Sequence, residues 1–537
     1  MTPDETARTT GAVHRRPGRS LPATVLAVAL FMGLQGAGAR EAVAQAPGAG
    51  TDSAAQDDLQ KRLAYLQGLR ERNLITAEDY TLYRRRILDE VSSRAGPVAG
   101  PALPPDRGSA PMVQQRPSKP SAAGFMSRDK GLPGLFDDYA LDFSGYLRAG
   151  LGGNAEGGDQ VCFQLPAARS KYRLGNECEV YSELQFDALV KESKSGARFS
   201  LTTLLAYVVE GEGDFETTDA AFRQAWVGAQ NLFGGAWENA IFWGGKRFYK
   251  RNDVHIIDFY YWDATGMGAG VEDIDLGWGK LSYAWFRNSE DDFDSFDIRD
   301  SLGSVRTITD ARIQVVDRAV SRHDLRLTDL KVNPGGTLMV GGDFRVSEES
   351  RDGFDGKGGF FLNVQHNQTG ILGGSNALTL QYGQGAGATL SNIPDDTLGS
   401  GVKTWRVIDQ FNLSRLGAFS AQAVVLYEHQ AGAAEESRRD WFSIGGRPTW
   451  HYSENVAVAL EIGHDRVMPE IGSTQTLTKV TLAPMLTAGG EFFDRPQLRL
   501  FVTYADWNEA ARAAGLVGAG DGDTHDITFG AQIEAWW

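Results

Sequence analysis

The chain has 537 residues, among them 64 glycines, 27 phenylalanines, 16 tyrosines and 12 tryptophans, but only 8 methionines and 2 cysteines. That balance does not resemble a set of helical enzyme domains and suits many strands joined by turns. A formal charge of −16 argues against a nucleic-acid partner, because a phosphate backbone calls for clustered Lys and Arg.

Residues 1–44 read as an export signal. Arg15, Arg16 and Arg19 precede the apolar run Val25 to Leu34, and small residues then lead to a cleavage candidate at Ala42-Val43-Ala44. A run of about ten residues is half of what a bilayer-spanning helix needs. Arg15-Arg16 also fits a twin-arginine signal, but a barrel crosses the inner membrane unfolded, which favours general secretion. Exported chains meet an oxidising compartment, so Cys162 and Cys178, which have no competing partners, are expected to form a disulfide. Closing that short loop contributes about 3 kcal/mol on a loop-entropy argument.

Residues 53–95 carry a helical period in Leu59, Leu63, Leu66 and Leu69, then in Tyr80, Tyr83, Ile87 and Val91. Thr76-Ala77-Glu78-Asp79 restarts the helix as a capping-box variant, so the segment reads as a small helical hairpin. Its apolar surface is too small for an independent core. Leu66–Leu88 resembles the short oligomerisation motif called SHOCT; a solvated spacer helix fits the same spacing. Residues 96–138, with seven prolines from Pro97 to Pro120, form an extended linker.

From Leu141 to Trp537 the pattern changes to a period of two. Leu498, Leu500, Val502 and Tyr504 alternate with Gln497, Arg499, Phe501 and Thr503, and Val456, Val458, Leu460 and Ile462 alternate with Asn455, Ala457, Ala459 and Glu461. Ile527 to Trp537 alternates throughout and ends on an aromatic. Asn333-Pro334-Gly335-Gly336 is a tight turn, and a change of phase between Leu327 and Leu330 predicts a bulge. Short turns alternate with long polar stretches, such as Asn288–Val305 and Gln384–Val402, expected as external loops. These features, with an export signal and no helical anchor, predict an all-β, antiparallel transmembrane β-barrel with a small N-terminal helical extension. It is expected in the outer membrane of a Gram-negative cell, with its apolar face on lipid, its polar face on a water-filled lumen, and the extension in the periplasm.

Between Gly244 and Asp263 the alternation breaks, and charges of both signs interleave with aromatics. This predicts a loop folded into the lumen, lined by Arg251, Asp253, His255, Asp258 and Tyr260. His255 between Asp253 and Asp258 also fits a metal site or acid–base pair, yet no nucleophile with an ordering partner accompanies it. No metal, cofactor or catalysis is expected.

The strings Ser170–Glu179, Gly244–Asp263, Gly268–Asp275, Asn333–Thr337 and Trp536-Trp537 occur in an order that resembles maltoporin across residues 141–537. The resemblance implies 18 strands, a homotrimer, and passive diffusion of maltose and maltodextrins. It also implies an aromatic slide at Tyr146, Tyr181, Phe215, Phe493 and Trp536, and a polar track at Arg148, Arg173, Glu183, Arg223, Arg251, Asp253, His255 and Asp258, with Tyr260 at the constriction. Phe215 and Phe493 stand where the family has tryptophans, and Ser375 where it has a phenylalanine, so weaker sugar binding is expected. Parity independently turns Tyr146, Tyr181, Phe493 and Trp536 to the lumen; Phe215 has no parity argument. The helical extension fits the alternative of a sucrose or broad-specificity carbohydrate porin. A binding-only receptor or periplasmic tether on the same scaffold is a further reading.

Overall fold

The computed structural model describes residues 140–210, 218–288, 319–348, 355–432, 438–516, 518 and 522–537. The expected signal peptide 1–44, helical hairpin 53–95, linker 96–138 and slide residue Phe215 lie outside them.

Eighteen strands pair antiparallel with their neighbours around one closed sheet. In chain order they are β1 (Ala140–Asn154), β2 (Glu179–Glu192), β3 (Arg198–Glu210), β4 (Thr218–Gln230) and β5 (Ile241–Arg247), followed by an internal two-strand hairpin of β6 (Asn252–Val254) and β7 (Phe259–Trp262). The wall resumes with β8 (Gly266–Asp275), β9 (Lys280–Asn288), β10 (Val320–Asn333), β11 (Gly336–Ser347), β12 (Gly359–Ile371), β13 (Gly374–Gly385) and β14 (Lys403–Leu416). It ends with β15 (Phe419–Ala431), β16 (Arg439–His451), β17 (Val456–Pro469), β18 (Gln475–Thr487), β19 (Gln497–Trp507) and β20 (His525–Trp536). One short helix, α1 (Glu509–Ala513), precedes β20.

The period of two decides which side each residue faces. On β19 Leu498, Leu500, Val502 and Tyr504 point outward and are exposed, whereas Gln497, Arg499, Phe501 and Thr503 are buried inside. In water such an exposed apolar band is an aggregation hazard; on a barrel it is the lipid contact. The expected bulge lies between Leu327 and Leu330, with Asp329 in the left-handed region at φ 60°. The tight turn is there too, with Gly335 at φ 75°.

Closure joins the first strand to the last. The amide of Trp537 donates to Gly145 at 3.2 Å, and that of Gly145 donates back at 3.3 Å. The Trp537 ring lies over Gly145, where any side chain would overlap it. It also packs on Phe143, whose ring is 5.1 Å from Phe186, so aromatics ring the outside of the seam.

Two expectations need correction. The interior is not uniformly polar: Ile408, Val424, Leu426 and Trp441 face inward and are covered by apolar residues of inward loops. The stretch 384–402 is not simply an external loop either. Leu390 is buried in that same interior cluster, Arg345 Nη1 donates to Ala386 O at 2.5 Å, and Arg322 and Arg345 donate to the carbonyls of Asn392 and Ser391. Asp343 holds both guanidiniums from behind, at 2.6 and 2.9 Å. The arginines satisfy backbone carbonyls that would otherwise be stranded inside the barrel.

Candidate channel constriction

Residues 248–265 leave the wall after β5 and fold across the lumen. Val254, Ile256, Ile257, Phe259 and Trp262 are buried in the interior apolar cluster. Phe259 meets Trp441 edge-on at 5.5 Å and Trp262 meets Phe361 at 6.1 Å. Arg326 lies 3.9 Å over the Trp262 ring and donates to the Lys250 carbonyl. Tyr261 donates to Gln365 at 3.0 Å, and Gln422 accepts from the Ile256 amide at 2.9 Å. The loop is thereby pinned to the wall from β10 to β16.

A second loop, 155–178, lies against it. Its disulfide joins Cys162 to Cys178. The amides of Lys171 and Arg173 donate to the carbonyls of Ile257 and Ile256 at 2.9 and 3.0 Å, so the two loops share backbone hydrogen bonds. Lys479 reaches from β18 and donates to the carbonyls of Phe163, Lys171 and Tyr172 at 3.2, 2.5 and 2.7 Å. The Tyr172 ring rests on Gly445 and Gly463, and its hydroxyl is 2.9 Å from Ser443.

These loops assemble a band of crossed charges. Arg148 on β1 bonds Glu179 at 2.6 Å and Asp258 at 3.0 Å. Arg173 bonds Glu177 at 2.7 Å and Glu534 at 3.2 Å, and donates to the Tyr146 hydroxyl at 2.6 Å. Lys171 pairs with Glu177 at 2.6 Å. Glu534 also takes Arg495 and Arg499, both at 2.7 Å. Buried charges survive here because Glu177, Glu179 and Glu534 each hydrogen-bond at least two cations, while Asp258 bonds Arg148 directly and has Arg173 at 3.9 Å.

Beside this band runs a row of rings. Tyr181 and Tyr146 are 6.2 Å apart between centroids, and Tyr146 and Trp536 are 6.4 Å apart with planes 18° from parallel. The His255 imidazole stands edge-on to Trp536 at 5.9 Å and to Phe493 at 5.7 Å. Tyr146 is fully buried, Tyr181 nearly so, and Trp536 and Phe493 are half-buried. Arg148 lies 5.0 Å over the Tyr181 ring and Arg495 4.2 Å over Trp536.

Most of the expected residues therefore converge, though their surroundings differ. Arg251 sits 4.1 Å over the Tyr260 ring and 4.0 Å over Phe248, and Arg223 lies 5.1 Å from the same Phe248 ring. Glu183 is buried and accepts from Tyr181 at 2.6 Å. Asp253 and Asp258 are half-buried. His255 is 1 % exposed, and burial, with Arg173, Arg495 and Arg447 nearby, holds its pKa well below the ordinary value against the pull of Glu534.

Phe493 is not on a strand, contrary to expectation. It lies in the turn 488–496 between β18 and β19, outside any strand, so strand parity does not orient it. Sequence reasoning also passed over Lys171, Glu177, Glu179, Phe248, Glu534, Arg495 and Arg499. A signal existed for some of these: Glu179 alternates in phase with Tyr181, Glu534 with Trp536, and Glu177 lies inside the string Ser170–Glu179. Ser375 faces inward opposite Asn412 at the start of β13.

The family described as LamB porin matches residues 141–537. The chain belongs to the LamB porin family. As a LamB porin with a closed barrel it is an outer-membrane channel, not an enzyme. Among solved structures it is similar to OpdQ of Pseudomonas aeruginosa, at 9% identity over 74% of this chain and 98% of that one, with a TM-score of 0.42. OpdK of the same organism matches at 11% identity over the same shares, with a TM-score of 0.40. OmpT of Vibrio cholerae matches at 12% identity, again over 74% and 98%, with a TM-score of 0.36. Likenesses this distant carry no argument about what this LamB porin passes.

Proposed function

We propose that this porin is a sugar-selective channel that passes maltose and linear maltodextrins by diffusion, working as a homotrimer. The carrying observation is the continuous contact of Tyr181, Tyr146 and Trp536 beside carboxylates and guanidiniums of both signs. A pyranose has an apolar ring face and a belt of hydroxyls. Aromatic faces suit the first, and paired charges exchange hydrogen bonds with the second. Each contact is weak enough to release, as conduction requires. On this reading Arg148, Arg173, Glu183, Arg223, Arg251, Asp253 and Asp258 form the polar track, Phe215 and Phe493 extend the slide, and Tyr260 sets the narrowest point. Residues 53–95 then form a periplasmic hairpin tethered by the linker 96–138.

Because Tyr146 is fully buried and Tyr181 nearly so, local movement of the side chains packed on them has to accompany sugar entry. Liposome swelling with maltose, maltotriose and sucrose tests the proposal. Faster flux of the maltodextrins than of sucrose is expected. Equal flux of all three, or faster sucrose flux, favours a broad-specificity or sucrose porin instead.

A further inference from the structure

The turn 488–496 does not simply reverse the chain at the short-turn rim. The Phe492 amide donates to Ser414 O at 3.0 Å, and the Ser414 hydroxyl donates to Glu491 at 2.9 Å, which ties the turn to the end of β14, four strands away around the wall. Inside the turn, Glu491 N donates to Asp494 at 2.8 Å and Asp494 N donates to Glu491 O at 3.2 Å. Arg495 donates to Phe492 O at 3.0 Å and to Glu534 at 2.8 Å, and its Nη2 is 3.1 Å from His255 Nε2. The turn is therefore fastened at both ends and to the constriction loop.

Phe492 is 4 % exposed, so it offers no surface to a solute. Its ring stands edge-on to Phe493 at 4.9 Å and 86°, while His255 meets Phe493 from another direction at 5.7 Å and 76°. Arg447 lies 6.0 Å from the hidden ring. His255 meets both Phe493 and Trp536 edge-on, so the half-buried Phe493 ring is packed by Phe492 on one edge and by His255 on another.

We infer that Phe492 is a positioning residue for sugar selectivity: with His255, whose ring it also meets edge-on at 6.4 Å, it forms one corner against which Phe493 packs, and it carries the aromatic row to the turn-side end of the channel. This rests on the proposed sugar reading and adds to it a residue that no solute touches. An edge-to-face corner needs an aromatic ring, whereas simple filling of the interior needs only apolar volume.

The test is single-channel block by maltotriose and maltohexaose for wild type, Phe492→Tyr, Phe492→Leu and Phe492→Ala, each as full-length protein with KCl conductance recorded first. Phe492→Tyr is expected to match wild type. Phe492→Leu and Phe492→Ala are expected to raise the half-blocking concentration of maltohexaose about three- to tenfold, with a smaller rise for maltotriose, which need not span the whole row. Wild-type block by maltohexaose in Phe492→Leu overturns the inference, as does an equal loss for both sugars. If wild type itself conducts KCl and neither sugar blocks it, the sugar reading has failed before Phe492 is at issue.

Discussion

Tyr146 and Trp536 stand opposite each other in the register of β1 and β20, with ring planes 18° apart, although they come from opposite ends of the barrel sequence. Only closure of the cylinder makes them neighbours, so the act that completes the barrel also builds the middle of the ring row. The Tyr146 hydroxyl is fixed as well, donating to Glu534 at 3.1 Å and accepting from Arg173.

Trp536→Ala is therefore expected to weaken maltohexaose binding by roughly 1 kcal/mol, about fivefold, the worth of one aromatic contact. Current-noise analysis of sugar block measures it. The barrel should still assemble, because the β1–β20 backbone pairing and the Trp537 ring over Gly145 remain. Unchanged block would remove Trp536 from the binding path.

The constriction should respond to pH through Asp253. Burial pushes its carboxyl up to about 7, with Asp258 adding to the rise and Arg251 opposing it. Above that pH the group is a carboxylate and below it the charge is lost, so cation preference should fall between about pH 8 and about pH 6. Zero-current potentials across a KCl gradient report this directly. Asp253→Asn should hold the low-pH value throughout; a variant that keeps the step assigns the titration to another group.

Trp262 anchors the constriction loop between Phe361 and Arg326. Trp262→Ala should cost the docked loop about 3–5 kcal/mol and free it from the wall. Higher, noisier KCl conductance is expected with the barrel itself intact, as monitored by its far-ultraviolet dichroism. A quiet channel of wild-type conductance would mean the remaining contacts suffice.

The Tyr172 ring occupies the space a side chain at Gly463 would take, and the ring cannot bend aside. Gly463→Ala should therefore destabilise the protein by about 1–3 kcal/mol. Denaturant unfolding in detergent reads this out. In a Tyr172→Ala background the same substitution should be nearly neutral, and an undiminished loss there would place the clash elsewhere.

Strand alternation made the wall legible, down to the bulge at Leu327–Leu330, because lipid and lumen impose opposite demands on successive residues. The inward fold of 248–265 was legible too, since charges of both signs interleaved with aromatics suit neither a lipid face nor an exposed loop. The segment 386–396 gave no such signal. Its one large apolar side chain in the interior is Leu390, beside the small Ala386 and Ala388, and it is held by Arg322 and Arg345, whose role depends on which strands are adjacent. Phe493 was read through strand parity, which does not extend into a turn. His255 was read by its polarity, yet its neighbours are rings and guanidiniums.

Single-channel conductance of the wild-type protein in KCl, titrated with maltotriose and then maltohexaose, tests the sugar-channel reading most directly. Reversible block by both is predicted, with the longer sugar acting at the lower concentration because it touches more of the ring row. A channel that conducts KCl steadily and ignores both sugars would contradict it.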